Sequence, residues 1–182
     1  ALKLGVKPLI ISDQIMNNLG YVKTCQELLL DKDIVSCHYL GVHTEPTDMY
    51  VDEALQLYHQ ENCDFVISLG GGSCIDTAKA VVVLASNNGY IGEFVGGKRI
   101  AQNPSVPHIA IPTTAGTGSE VTDVTVITNS RSAVKMMIKQ PAFMPTCAIV
   151  DPQLTMSAPK FVTAATGIDA LSHAIEAYLS KK

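Results

Sequence analysis

Two side chains in this sequence stand at a spacing that can do chemistry. Asp169 and His173 lie four residues apart in the stretch A-A-T-G-I-D-A-L-S-H-A-I-E-A-Y, and on a helix such positions share a face. A carboxylate and an imidazole so placed can share a divalent cation. They can equally form a surface ion pair, so the spacing alone leaves both readings open. A second stretch, D-F-V-I-S-L-G-G-G-S-C-I-D-T-A-K-A at 64–80, offers groups suited to an anion. Gly70, Gly71 and Gly72 let the backbone turn sharply and leave no side chain in the way of a ligand. Ser73 is expected at the N-cap of the following helix, with Asp76 completing an S-x-x-D capping box. Free N–H groups and the positive end of a helix dipole then converge on one spot, and a phosphate is the expected guest. The pattern is neither the G-x-G-x-x-G fingerprint nor a P-loop, and a tight turn without a ligand would leave the same trace. A third stretch, P-T-T-A-G-T-G-S-E at 112–120, places hydroxyls and bare N–H groups at a strand end, suited to a diphosphate or a ribose.

These groups need a scaffold, and the apolar pattern supplies one. Strands are expected at 8–12, 34–40, 65–69, 108–111 and 146–150, with helices between the early ones over about 14–30, from 45–47 through a stripe that ends at 58, and over 78–85. Thr47 should cap the second helix, whose stripe is Val51, Ala54, Leu55 and Tyr58. This alternation predicts an α/β, Rossmann-like parallel sheet with helices on both faces and right-handed crossovers. Ligands of such sheets sit at the carboxyl ends of strands, where Asp13 and the glycine turn both fall. Residues 87–103 read as a loop with one helical turn, and 124–128 with 134–139 as a hairpin around Asn129-Ser130-Arg131. A long helix over 161–179 follows, which Gly167 could kink.

Composition narrows the class. The 182 residues are 47% hydrophobic and 16% charged, as in a globular domain with a sizeable core. A net charge of −4 without basic runs argues against nucleic acid or an anionic membrane as partner. No apolar run approaches the length of a membrane span, and no signal-peptide pattern opens the chain. Five scattered cysteines without a C-x-x-C pair read as reduced thiols of a cytoplasmic protein. Cys74 stands out, because a helix N-terminus could lower its pKa; a plain buried thiol is the competing expectation. Both ends of the sequence look cut, so a piece of a longer protein is expected.

Taken together, G-G-G-S-x-x-D-T-A-K at 70–79, P-T-T-A-G-T-G-S-E and A-A-T-G-I-D-A-L-S-H-A-I-E-A-Y resemble the iron-containing (group III) alcohol dehydrogenase family. The resemblance implies a dinucleotide-binding α/β domain over 1–157. It makes 158–182 the first helix of an otherwise missing all-helical metal and substrate domain. It further implies an NAD(P)-dependent oxidoreductase that passes hydride between a nicotinamide and a metal-bound alcohol, with alcohols or aldehydes as substrates. One Asp and three His hold the family's metal. Asp169 and His173 match the first two, and the other two, with any further catalytic residues, are expected beyond Lys182. Among the remaining histidines (38, 43, 59 and 108) surface or strand roles suffice. The family's cofactor positions fall on Asp13, Gly71, Gly72, Ser73, Thr113, Thr114, Thr117 and Lys135. Glu45 departs from the family's pattern, where many relatives carry Asn before Pro-Thr.

The chemistry follows from those parts. A cation acidifies an alcohol by stabilising its alkoxide, and the protein holds the nicotinamide against the substrate carbon. Asp13 should favour NAD over NADP, since a carboxylate accepts ribose hydroxyl bonds and repels a 2′-phosphate; the competing role is to cap the next helix. Iron and zinc both suit the metal, and a homodimer is compatible with everything above. Two other readings stay on the table, a non-catalytic nucleotide-binding module and a relative of glycerol dehydrogenase or dehydroquinate synthase. With only two metal ligands in view, this length of chain is expected to bind dinucleotide at best, without turnover.

Overall fold

The computed structural model describes residues 4–181. Strand β1 is Pro8–Ile11, and helices α1 (Gln14–Asn18) and α2 (Tyr21–Leu30) follow it. Strand β2 (Cys37–Tyr39) leads to α3 (Asp48–Gln60), and β3 (Phe65–Gly70) to α4 (Gly72–Asn87). Then come β4 (His108–Pro112), the pair β5 (Val124–Thr128) and β6 (Lys135–Lys139), β7 (Cys147–Ala148) and α5 (Lys160–Leu179). Among the described residues the main sheet runs β2-β1-β3-β4-β7, every pair parallel.

Alternation along the strands divides the interior in two. Leu9, Ile11 and Val66 join Val51 and Ala54 of α3 and Val81 and Leu84 of α4 on one face. Ile10, Phe65, Ile67, Leu69 and Ile109 meet Val22 and Leu29 of α2 on the other. Every residue of β1 and β3 is buried, as expected for strands covered on both faces. No helix among the described residues is long and apolar enough to cross a membrane.

Several expectations change in detail. The helix expected over 14–30 is two helices, because Gly20 takes φ 83° at the junction, a left-handed value open to glycine at little cost. Strand β2 keeps three residues and β7 two, while α5 runs unbroken through Gly167. The capping box does not form. Helix α4 begins at Gly72 with Gly71 at its N-cap, so Ser73 lies inside the first turn. Asp76 Oδ2 instead accepts from Val126 N at 2.9 Å.

That contact belongs to a clamp holding the hairpin against α4. Lys79, fully buried, donates through Nζ to Thr122 Oγ1 at 3.0 Å and to Val124 O at 2.7 Å. Thr125 Oγ1 donates to the Asp76 carbonyl at 2.9 Å. Burial pushes the Asp76 carboxyl up and the Lys79 amine down, while each charge, 3.8 Å from the other, opposes the partner's shift. The hairpin thus buries Thr125, Ile127, Met136 and Ile138 and turns Lys135 and Met137 outward.

Candidate functional site

The carboxyl ends of β1, β3 and β4 meet at the glycine turn. Gly70 takes φ 154°, and a Cβ there would lie 2.6 Å from Cys74 Sγ, so this position requires glycine. Gly71 is extended, at φ −75° and ψ −174°. At Gly72 a Cβ would come within 3.0 Å of Thr117 Cγ2, which brings the threonine loop close to the start of α4. Thr113 N donates to Gly70 O at 3.0 Å and ties the two loops together.

Two clefts open on either side of this turn. One, of about 810 Å³, is lined by Asp13, Thr113 and Cys74. The other, of about 880 Å³, is lined by Gly72, Thr117, Lys135, Asp169 and His173. Gly71, Ser73, Thr114 and Glu45 line both, so the clefts meet at a waist beside the N-terminus of α4. All ten residues expected at a cofactor or metal site therefore border one waisted groove.

Their environments differ. Thr113 is almost wholly buried, so its contribution is chiefly the backbone tie to Gly70. Asp13 does both jobs considered for it. Its Oδ1 accepts from Met16 N at 2.8 Å as the cap of α1, while the residue also walls the smaller cleft. Its Oδ2 accepts from the Cys74 thiol at 3.7 Å. Burial first, and the Asp13 charge second, push that thiol well above its ordinary range. The activation a helix N-terminus could give Cys74 is overridden, and the thiol is an inert core group.

Helix α5 reaches the groove through few contacts. Val162, Thr166 and Asp169, at i, i+4 and i+7, are its partly buried residues near the sheet. A Cβ on Gly116 would overlap the Thr166 carbonyl oxygen and lie 2.6 Å from Thr166 Cβ. Glycine at 116 is what lets the threonine loop touch the α5 backbone. Asp169 Oδ1 and His173 Nε2 converge to 3.5 Å and face the larger cleft, both substantially exposed. At that distance the two side chains form an i, i+4 ion-pair contact, and an oxygen and a nitrogen this close are also donor types that can supply two of a divalent metal's ligands. Among the described residues no third His, Cys, Asp or Glu joins them.

Two features of the groove, and one residue packed behind it, have little trace in the sequence. Glu45 Oε1 accepts from Lys135 Nζ at 2.9 Å, across 90 positions of chain. Asp76 borders the larger cleft with its buried Oδ1 lacking a hydrogen-bond partner. Lys79 is fully inside, although a lysine is ordinarily read as surface. The D-x-x-K spacing at 76 and 79 was the available signal, since i and i+3 share a helix face.

Residues 1–152 match the family described as "Iron-containing alcohol dehydrogenase". The "NAD-dependent methanol dehydrogenase" of Bacillus methanolicus is 42% identical over 175 residues, which is 96% of this chain and 46% of that protein. Among solved structures, a 1,3-propanediol oxidoreductase superposes with a TM-score of 0.91 at 37% identity, covering 97% of this chain and 46% of its own. A sulfoacetaldehyde reductase from Bifidobacterium kashiwanohense, in complex with NAD+, gives 0.88 at 35% identity, covering 99% and 47%. The chain spans about half the length of the curated relatives it matches.

Proposed function

The chain belongs to the iron-containing alcohol dehydrogenase family, and on that premise we propose that its protein is an NAD-dependent alcohol dehydrogenase and aldehyde reductase, working in the cytoplasm on a small alcohol or aldehyde. The observation that carries this reading is the shared groove: the glycine turn, the threonine loop and the Asp169–His173 pair all border it. The N–H groups at the start of α4 face the diphosphate, with Thr114 and Thr117 supplying hydroxyls and Lys135 a positive charge. Asp13 accepts from the adenosine ribose in the smaller cleft, which puts the nicotinamide half in the larger one. Asp169 and His173 furnish two of the metal's protein ligands. When bound, the nicotinamide supplies the hydride acceptor and a divalent cation, iron by the family's description, acidifies the alcohol. Residues 158–182 then begin the part of the protein that holds metal and substrate.

Gly71→Val tests the placement of the diphosphate. The Gly71 backbone is extended, and a Cβ there would meet nothing nearer than Thr114 at 3.5 Å, so the variant should fold. Its branched methyls would occupy the space the phosphates need. NADH affinity, read by fluorescence titration of the 182-residue chain, is expected to fall at least about tenfold, or about 1.4 kcal/mol. Unaltered affinity in a folded Gly71→Val protein would remove the diphosphate from this turn.

A further inference from the structure

Glu45 and Lys135 form an ion pair across the groove, with 2.9 Å between Oε1 and Nζ. Lys135 is the one lysine or arginine among the described residues lining the two clefts, and the pair commits it to a carboxylate. Glu45 borders both clefts together with Gly71, Ser73 and Thr114, so its negative charge stands at the waist, beside the N-terminus of α4. The backbone beneath the pair is fixed. Thr128 N donates to Pro46 O at 2.7 Å, Thr47 bridges to Thr128, and Thr47 caps α3. The two side chains therefore meet because hairpin and chain are tied together beneath them.

A carboxylate at the waist opposes the very anion that the glycine turn attracts. We propose that the Glu45–Lys135 pair is a charge latch on the cofactor groove: Lys135 passes from Glu45 to the diphosphate as dinucleotide binds, and Glu45 sets how loosely the cofactor is held. This rests on the dinucleotide reading of the groove. Both side chains are more than half exposed, so the exchange leaves Glu45 in water rather than as an uncompensated buried charge. An exposed pair is weak, which suits a device that tunes affinity without blocking entry. The latch lowers affinity and by the same factor favours release.

NADH titrations of the 182-residue chain at low and moderate ionic strength decide it. Glu45→Gln is expected to tighten binding about fivefold at low salt, with the gain shrinking as salt screens the site. Lys135→Met is expected to weaken binding, and adding Glu45→Gln to it should restore little. Unchanged or weaker binding by Glu45→Gln in a protein that binds NADH would overturn the latch alone. A full gain retained without Lys135 would also overturn it, leaving plain repulsion. Absence of NADH binding by the wild-type chain would remove the dinucleotide reading, and the latch with it.

Discussion

Helices α4 and α5 are both apolar, both long, and both border the groove, yet they are built into the protein in opposite ways. Twelve of the residues of α4 are buried, whereas α5, with 20 residues, buries none. The difference follows from what each packs against: α4 lies against the sheet, α3 and the hairpin, whereas α5 is partly covered only at Val162, Thr166 and Asp169. Helix α4 offers the groove its backbone N–H groups, which leaves nearly every side chain free to be core. On the reading proposed above, helix α5 offers two side chains, Asp169 and His173, which border the larger cleft. Its Ile168, Leu171, Ile175 and Leu179 remain exposed, an apolar surface of the kind that marks an interaction site. The contrast is one of packing: α4 finds its partners within this chain, and the apolar face of α5 does not.

The strongest way to break this contrast is to make one substitution in both helices. Leu84 of α4 is 0% exposed and Leu171 of α5 is 59% exposed. Leu84→Ala should cost about 2–5 kcal/mol in urea unfolding, and Leu171→Ala should stay within about 0.5 kcal/mol. Equal losses would mean that α5 is packed far more tightly than its exposure shows.

A pH titration probes the dryness of the interior beside α4 and is expected to have the next largest effect. His108 in β4 is buried, with Nε2 2.8 Å from Ser68 Oγ. Burial first, and the Lys79 charge second, hold its pKa down to about 3 against an ordinary 6.5. Below pH 6.5 the unfolded chain takes up a proton that the folded chain refuses. The stability this gives is complete above 6.5 and is lost as pH falls towards 3, by about 1.4 kcal/mol per unit. Wild type should therefore lose about 2 kcal/mol more than His108→Leu between pH 6.5 and about 5. Parallel pH profiles for the two proteins would show that water reaches the imidazole.

How much of this was legible beforehand depended on whether the signal was local. The strand, glycine turn and helix at 64–80 were readable because a buried run, three glycines and an apolar sequel are adjacent in sequence. The hairpin and the cap at Thr47 were readable for the same reason, and Thr47 Oγ1 does accept from Tyr50 N. The break at Gly20 was not, since a single glycine inside an apolar pattern can equally continue a helix. Ser73 invited a capping box, but a partner distant in sequence, Val126 N, captured Asp76. The groove residues were found through motifs, whereas the Glu45–Lys135 pair and the buried amine of Lys79 depend on how the hairpin docks. No window of sequence shows that.

The smallest expected effect sharpens the contrast between backbone and side-chain recognition. On the reading proposed above, N–H groups at the α4 terminus treat the diphosphates of NAD and NADP alike, and Asp13 is the side chain proposed to tell them apart. Asp13→Gly keeps an acceptable N-cap residue on α1, at a cost of a few tenths of a kcal/mol. It is expected to raise NADP affinity relative to NAD by about threefold, or about 0.6 kcal/mol. A ratio that does not move would leave Asp13 with its helix cap and no say in cofactor choice.

The contact of Gly116 with Thr166 carries a consequence for machining tolerance. The loop on one side holds groups proposed for the cofactor, and the helix on the other holds those proposed for the metal, so their spacing is gauged where the two backbones touch. A site of this kind works only within about half an ångström of its proper geometry. A methyl group at position 116 would be a shim thicker than that allowance, driven between two halves each still correctly formed.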